Sequence, residues 1–87
     1  MGLVVKRFTA AWCAPCRTLA PIMVGIQIQN PGVQFDIIDV DENETLAAQY
    51  GIRSVPTVIL EKNGEIVETI LGARPEQAYR TAIATWK

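Results

Sequence analysis

Eighty-seven residues, 49% apolar and 20% charged, describe one globular domain over residues 1–87, with room for a single core and none for a second domain. A formal net charge of −1 gives no basic field to attract nucleic acid or an anionic membrane surface. Two cysteines and no histidine fall short of the four ligands of a closed zinc site unless a dimer pooled two pairs, so no metal is expected.

Met1-Gly2-Leu3-Val4-Val5-Lys6-Arg7 lacks the basic-then-apolar pattern of a secretory signal, and no apolar run is long enough to span a bilayer. A cytoplasmic location and no membrane partner are expected. Leu3 to Thr9, with β-branched and aromatic residues and no helical period, reads as a buried strand. It leads into Trp12-Cys13-Ala14-Pro15-Cys16-Arg17, which holds both cysteines. Beyond Cys13 the apolar positions Leu19, Ile22, Met23 and Ile26 follow the spacing of one helical face, so a helix begins at the cysteines. Pro15 falls near the first helical positions, where a missing N–H costs nothing, while Pro21 lies inside the helix and is expected to kink it.

Asn30-Pro31-Gly32 ends that helix, and Val33 to Val40 reads as a second strand. Phe35, Ile37 and Ile38 predict burial on both faces, as in a central or parallel strand, and the intervening helix makes a βαβ unit. Asp41-Glu42-Asn43-Glu44 offers a cap and early acidic residues for a short helix through Leu46, Ala47 and Tyr50, closed by Gly51. Ile52 to Pro56 is a loop into the strand Thr57 to Leu60, and Asn63-Gly64 marks a hairpin returning through Ile66 to Leu71. Gly72 breaks that strand, and Pro75 opens a last helix with Ala78, Tyr79, Ala82, Ile83 and Trp86 on one face, Trp86 in the core. The order is β-α-β-α-β-β-α in one α/β layer system.

A thiolate, not a thiol, attacks a disulfide, and a free cysteine with a pKa of about 8.5 is mostly protonated at neutral pH. Cys13 at a helix N-terminus faces unpaired N–H groups and the positive end of the dipole, up to about 2 kcal/mol in partly buried geometry, or roughly one and a half pKa units. Cys16, one turn in, is expected to be more buried and closer to its thiol form. The asymmetry predicts that Cys13 attacks, a mixed disulfide forms, and Cys16 resolves it, with no cofactor beyond the dithiol itself. As a structural staple the pair would close so short a loop that it contributes only about 2 kcal/mol.

Trp12-Cys13-Ala14-Pro15-Cys16 followed by a basic residue, Pro21 five positions on, the run Asp39-Val40-Asp41-Glu42-Asn43, and Tyr50-Gly51-Ile52-Arg53-Ser54-Val55-Pro56-Thr57 together resemble the thioredoxin family. Lys62-Asn63-Gly64-Glu65 and Leu71-Gly72-Ala73 continue the likeness, which runs from about Val4 to the end. The resemblance implies a thioredoxin fold with a four-stranded mixed sheet flanked by helices. It also implies a protein-disulfide reductase acting on disulfide-containing proteins, a thioredoxin reductase as electron donor, and a monomer. It further implies that Pro56 is cis and packs against the dithiol, with a substrate groove lined by Trp12, Val55, Pro56, Gly72 and Ala73. Ala14 and Pro15, between the cysteines, are expected to modulate the potential.

Typical thioredoxins begin with an additional strand and helix, carry a buried aspartate six residues before the first cysteine, and place a lysine two residues before the position of Asp39. Here those two positions hold Arg7 and Ile37. An always-charged arginine removes the obvious base for the buried thiol. Arg7 is expected either to reach solvent or a carboxylate, or to lie near the dithiol and lower a thiol pKa. The short length suggests a glutaredoxin-like, glutathione-dependent reductase as an alternative, although Ala14-Pro15 has the proline second, as in thioredoxin. A binding module that holds a partner on the Trp12, Val55 and Ala73 surface without turnover is a further alternative.

Overall fold

Strand β1 occupies Leu3–Thr9 in a computed structural model that describes residues 2–87. Strand alternation turns Leu3, Val5 and Arg7 to one face and Val4, Lys6 and Phe8 to the other. Strand β2, Gln34–Asp39, pairs with β1 in parallel, placing Phe35 beside Val5, Ile37 beside Arg7 and Ile38 beside Phe8. Strand β3, Thr57–Lys62, pairs antiparallel on the other side of β1, and β4, Glu65–Leu71, pairs antiparallel with β3. The result is a mixed sheet in the order β2-β1-β3-β4.

Both faces are covered. Helix α1, Ala14–Ile28, and helix α3, Glu76–Trp86, bury Leu19, Met23 and Ile26 with Tyr79, Ala82 and Ile83 against Leu3, Val5, Val58, Leu60 and Ile70. On the opposite face the short helix α2, Glu44–Gln49, brings Leu46 and the following Tyr50 over Phe8, Ile38 and Ile59. This α/β/α arrangement leaves the C-terminal end of β1, the N-terminus of α1 and the loop before β3 together at one end of the sheet.

Local signals account for the turns. Asn63 and Gly64 both take positive φ, 57° and 81°, the pair of left-handed conformations that a two-residue type I′ hairpin requires. At the end of α2, Gly51 at φ 67° donates to the Ala48 carbonyl and Ile52 donates to that of Ala47, the paired bonds of a Schellman ending.

The structure departs from expectation at three places. Strand β2 pairs in parallel, one of the two settings expected, but from the edge of the sheet and without full burial on both faces. Phe35 turns to the main core and Ile38 to the α2 side, but Ile37 stays 63% exposed because it lies beyond the cover of either layer of helices. Asn43 stands at the start of α2 without capping it: its amide donates to the Asp39 carbonyl at 3.0 Å, and the Asp39 carboxylate instead accepts from Asp41 and Glu42 N–H. Trp86 is half-buried, packing on the core while its indole donates to Glu68 at 2.9 Å, and Ala78 is exposed.

Candidate active site

The end of β1 turns sharply into α1. Cys13 N–H donates to the Ala10 carbonyl at 3.1 Å, and the Arg17 guanidinium reaches back to the Ala11 carbonyl at 2.7 Å, so the turn is held from both sides. Cys13 takes the N-cap position of α1 in an extended conformation, and its Sγ accepts the Cys16 N–H at 3.2 Å. A sulfur at this position receives the hydrogen bond that a Ser or Asp side chain would normally accept at a helix start. Pro15 is the second helical residue, where it leaves no intrahelical bond unmade.

Cys13 and Cys16 form a disulfide with Cα atoms 5.2 Å apart, inside the ordinary span for a bridge. The expected contrast in burial between them is not seen with the bridge closed: the residues are 3% and 2% exposed. Ala14 and Pro15 are exposed above them. The Val55 carbonyl oxygen lies 3.7 Å from Cys13 Sγ, a contact that can become a hydrogen bond only when that sulfur carries a proton.

The Val55–Pro56 peptide bond is cis, with Pro56 buried under the dithiol end of the sheet and Val55 packed against Cys13 and Cys16. Trp12 is 67% exposed, and its indole donates to Asp41 Oδ2 at 2.8 Å, which fixes the ring over the loop. Between them opens a cleft of about 120 Å³ lined by Trp12, Val40, Ile52, Arg53, Ser54 and Val55. Of the predicted groove residues, Trp12 and Val55 meet in this cleft. Gly72 is tied to the far side of Pro56, its N–H donating to the Pro56 carbonyl at 2.9 Å, and Ala73 is exposed beyond it. Tyr79, 1% exposed, anchors that second loop by donating to the Gly72 carbonyl and accepting from Arg74 N–H.

Sequence reasoning missed Asp41 and Tyr79 as parts of the site. Asp41 falls in Asp41-Glu42-Asn43-Glu44, read as the cap and acidic start of a helix, and nothing in a periodic apolar helix marks which buried tyrosine will use its hydroxyl.

Arg7 is largely buried and pairs with no carboxylate among the described residues, while its guanidinium keeps contact with an open cavity. It is 7% exposed, and no hydrogen bond or ion pair to its guanidinium occurs among the described residues. It lines a cavity of about 370 Å³ together with Thr9, Ala10, Ala11, Cys16, Arg17, Ala20 and Asp39. Burial pulls its guanidinium below the ordinary range through desolvation. Among the described residues no group of three or more His, Cys, Asp or Glu side chains is placed to hold a metal ion.

A cysteine pair that closes across the first turn of a helix, with both sulfurs reached from one loop, gives up two electrons when its bond forms and regains them when a thiolate attacks and opens it. Such a site on an α/β/α sheet belongs to a thiol–disulfide oxidoreductase. The chain matches the Thioredoxin family model over residues 1–85. It is 45% identical over 78 residues to the thioredoxin of Listeria monocytogenes, covering 87% of this chain and 75% of that protein. Over 84 residues it is 40% identical to the thioredoxin of Bacillus subtilis, covering 94% and 80% of the two chains. The X-ray structure of Fasciola hepatica thioredoxin superposes with a TM-score of 0.95 at 38% identity, covering 99% of this chain and 82% of that one. The chain belongs to the thioredoxin family, and it reduces protein disulfides through the Cys13–Cys16 pair.

Proposed function

We propose that Cys13 is the attacking thiol and Cys16 the resolving one, in a single domain spanning residues 1–87. The observation that carries this reading is the hydrogen bond from Cys16 N–H to Cys13 Sγ at the N-cap of α1. Once the bridge is open, that N–H and the helix dipole favour negative charge on Cys13. Its thiolate attacks one sulfur of a substrate disulfide, the substrate S–S bond breaks, and the first substrate thiolate leaves. The Cys16 thiolate then attacks Cys13 Sγ, expels the second substrate thiolate and regenerates the Cys13–Cys16 bond, so the substrate gains two electrons and the protein loses two.

Trp12, Val55, Pro56, Gly72 and Ala73 form the face that receives the substrate chain, supported by the cleft between Trp12 and Val55 and by the Pro56–Gly72 tether. An extended substrate segment lies along the Val55 backbone, and Ala14 and Pro15 set the potential by shaping the turn. The dithiol works without another cofactor. The protein acts as a monomer in the cytoplasm, with electrons supplied by a thioredoxin reductase. This setting agrees with thiols that must cycle in a reducing compartment, and no helix among the described residues is long and apolar enough to cross a membrane.

Trapping decides the roles. Cys16→Ser incubated with insulin, a disulfide-bearing probe, accumulates a mixed disulfide through Cys13, whereas Cys13→Ser does not; equal trapping by both variants refutes the assignment. Comparing turnover driven by NADPH and thioredoxin reductase with turnover driven by glutathione identifies the donor, and faster recycling by glutathione refutes the reductase reading.

A further inference from the structure

Among the described residues, Arg7 is the one buried cation, and the mechanism leaves it unused. It projects from β1 on the face covered by α1, into the cavity that Cys16 lines from the first turn of that helix. No side-chain nitrogen in the described structure is both sealed from solvent and unpartnered, so the guanidinium abuts the open space of the cavity and is not walled into the core. The charged groups facing this space are Arg7 from β1, Arg17 from α1 and Asp39 from the end of β2, while β3 contributes none. The Asp39 carboxylate is engaged at 2.8 and 3.2 Å by the N–H groups of Asp41 and Glu42, and Arg17 is turned toward the Ala11 carbonyl. Both of those bonds end on Asp39 Oδ1, and no ion pair joins Asp39 to Arg7 among the described residues, so the guanidinium stands unpaired while the cysteines are bonded to each other.

A buried unpaired charge is costly, and a guanidinium does not shed its proton to escape that cost. Opening the disulfide creates the missing anion in place, because Cys16 can ionise into the cavity that Arg7 already occupies. We propose that Arg7 holds the Cys16 sulfur as a thiolate in the reduced protein, making Arg7 the positioning residue for the resolving step. Cys16 then needs no base to remove its proton before attacking the mixed disulfide. The same pairing stabilises the reduced form relative to the disulfide, so Arg7 makes the protein a weaker reductant at any pH where Cys16 is ionised. This rests on the reading of Cys16 as resolver, but ionisation of Cys16 is measurable whichever cysteine attacks.

The test uses Cys13→Ser, in which Cys16 is the sole thiol, with titration followed by thiolate absorbance. With Arg7 present the Cys16 pKa is expected below the free-cysteine value of about 8.5. Added Arg7→Leu raises it by about one unit or more, the usual scale for removing an opposite charge within ion-pair reach, and Arg7→Lys restores most of the shift. A rise of less than about half a unit in Arg7→Leu overturns the proposal. Should Arg7→Leu fail to fold, a Cys16 pKa at or above about 8.5 in Cys13→Ser alone overturns it as well.

Equilibration of the two-cysteine protein with glutathione supplies a second readout. The ratio of the Arg7→Leu constant to the native one cancels glutathione's own ionisation. It is expected near unity well below the Cys16 pKa and to approach tenfold in favour of the disulfide at pH 9, equivalent to about 30 mV. A ratio that does not change with pH overturns the proposal, because a purely structural effect of Arg7 has no reason to follow the ionisation of Cys16.

Discussion

Replacing Tyr79 with phenylalanine removes one oxygen and leaves the ring that fills the core between α3 and the sheet. The hydroxyl bridges two groups of the loop after β4, donating to the Gly72 carbonyl at 3.3 Å and accepting from Arg74 N–H at 3.1 Å. Each such bond contributes about 1 kcal/mol net. Because the loop is largely exposed and both partners can turn to water, the expected loss is about 1 kcal/mol and not the sum of two bonds. In urea this lowers the unfolding midpoint by roughly 0.3–1 M at unchanged slope. Tyr79→Ala, which also opens a cavity at a position 1% exposed, costs about 3–5 kcal/mol. The functional consequence travels further than the energy. Gly72 N–H holds the Pro56 carbonyl at 2.9 Å, so loosening the loop loosens the wall beside the dithiol. Turnover of a protein disulfide is expected to fall while reduction of a small aromatic disulfide reagent by the reduced protein is unchanged. A Tyr79→Phe midpoint equal to native, or as low as that of Tyr79→Ala, refutes the reasoning.

The polar cluster on the other face gives a pH prediction. Lys6 donates to the Tyr50 hydroxyl at 2.9 Å, and its ammonium lies 3.5 Å from the Glu61 carboxylate, which also accepts from Tyr50. The Tyr50 hydrogen bond and then the Glu61 charge hold Lys6 above its ordinary range. A raised folded pKa means that this stabilisation is fully present below the unfolded value of about 10.4 and is lost as pH climbs through the folded one. Glu61→Gln should therefore flatten the fall in urea midpoint between pH 9 and 11, and an unchanged fall would sink the idea. Asp41→Ala frees the Trp12 indole: in a Trp86→Phe background the emission of Trp12 should shift and kcat/KM for a protein disulfide drop several-fold, whereas an unaltered spectrum shows that Asp41 does not hold the ring. Gly51→Ala forces a side chain into φ 67° with open space around it, so the cost is backbone strain alone, about 1 kcal/mol by urea unfolding, and a neutral result contradicts the Schellman assignment.

Much of the fold was legible because local and long-range signals agreed. The β1 boundaries, the start of α1 at the cysteines, the Asn63-Gly64 hairpin and the Gly51 ending each rest on residues whose backbone preferences leave few alternatives. The reading of β2 as buried on both faces failed for a different reason. Phe35, Ile37 and Ile38 look alike in sequence whether a strand has one neighbour or two, and only the finished sheet order shows that nothing covers Ile37. The site was legible where chemistry requires a residue type, as with Cys13, Cys16 and the proline loop. It was hidden where a common residue acquires a role through a distant partner: Trp12 and Asp41 are 29 positions apart, and no spacing rule joins them.

Arg7 lies between these cases. The sequence shows an arginine between Lys6 and Phe8 in a largely apolar strand, and the open outcomes were a head that reaches water or a carboxylate, or a charge near the thiols. The register places Arg7 beside Ile37 and on the face of Val5 and Val58, and the cavity it lines is shared with Cys16 in the first turn of α1. At 7% exposure the head sits at the mouth of an open cavity and not out in bulk water, and no ion pair joins it to Asp39 among the described residues. A carboxylate at this position could take a proton from Cys16, which an arginine cannot do, so proton transfer and charge stabilisation are alternative ways to ready the same sulfur. They separate cleanly in the rate at which a trapped mixed disulfide resolves. With a base, the rate follows the base's own titration; with a fixed cation, it follows the ionisation of Cys16 alone. Arg7→Asp therefore does more than weaken the native behaviour. It is expected to raise the Cys16 pKa and add a second, lower break to the pH profile of resolution, and a profile that keeps its single native break would show that position 7 does not govern the step.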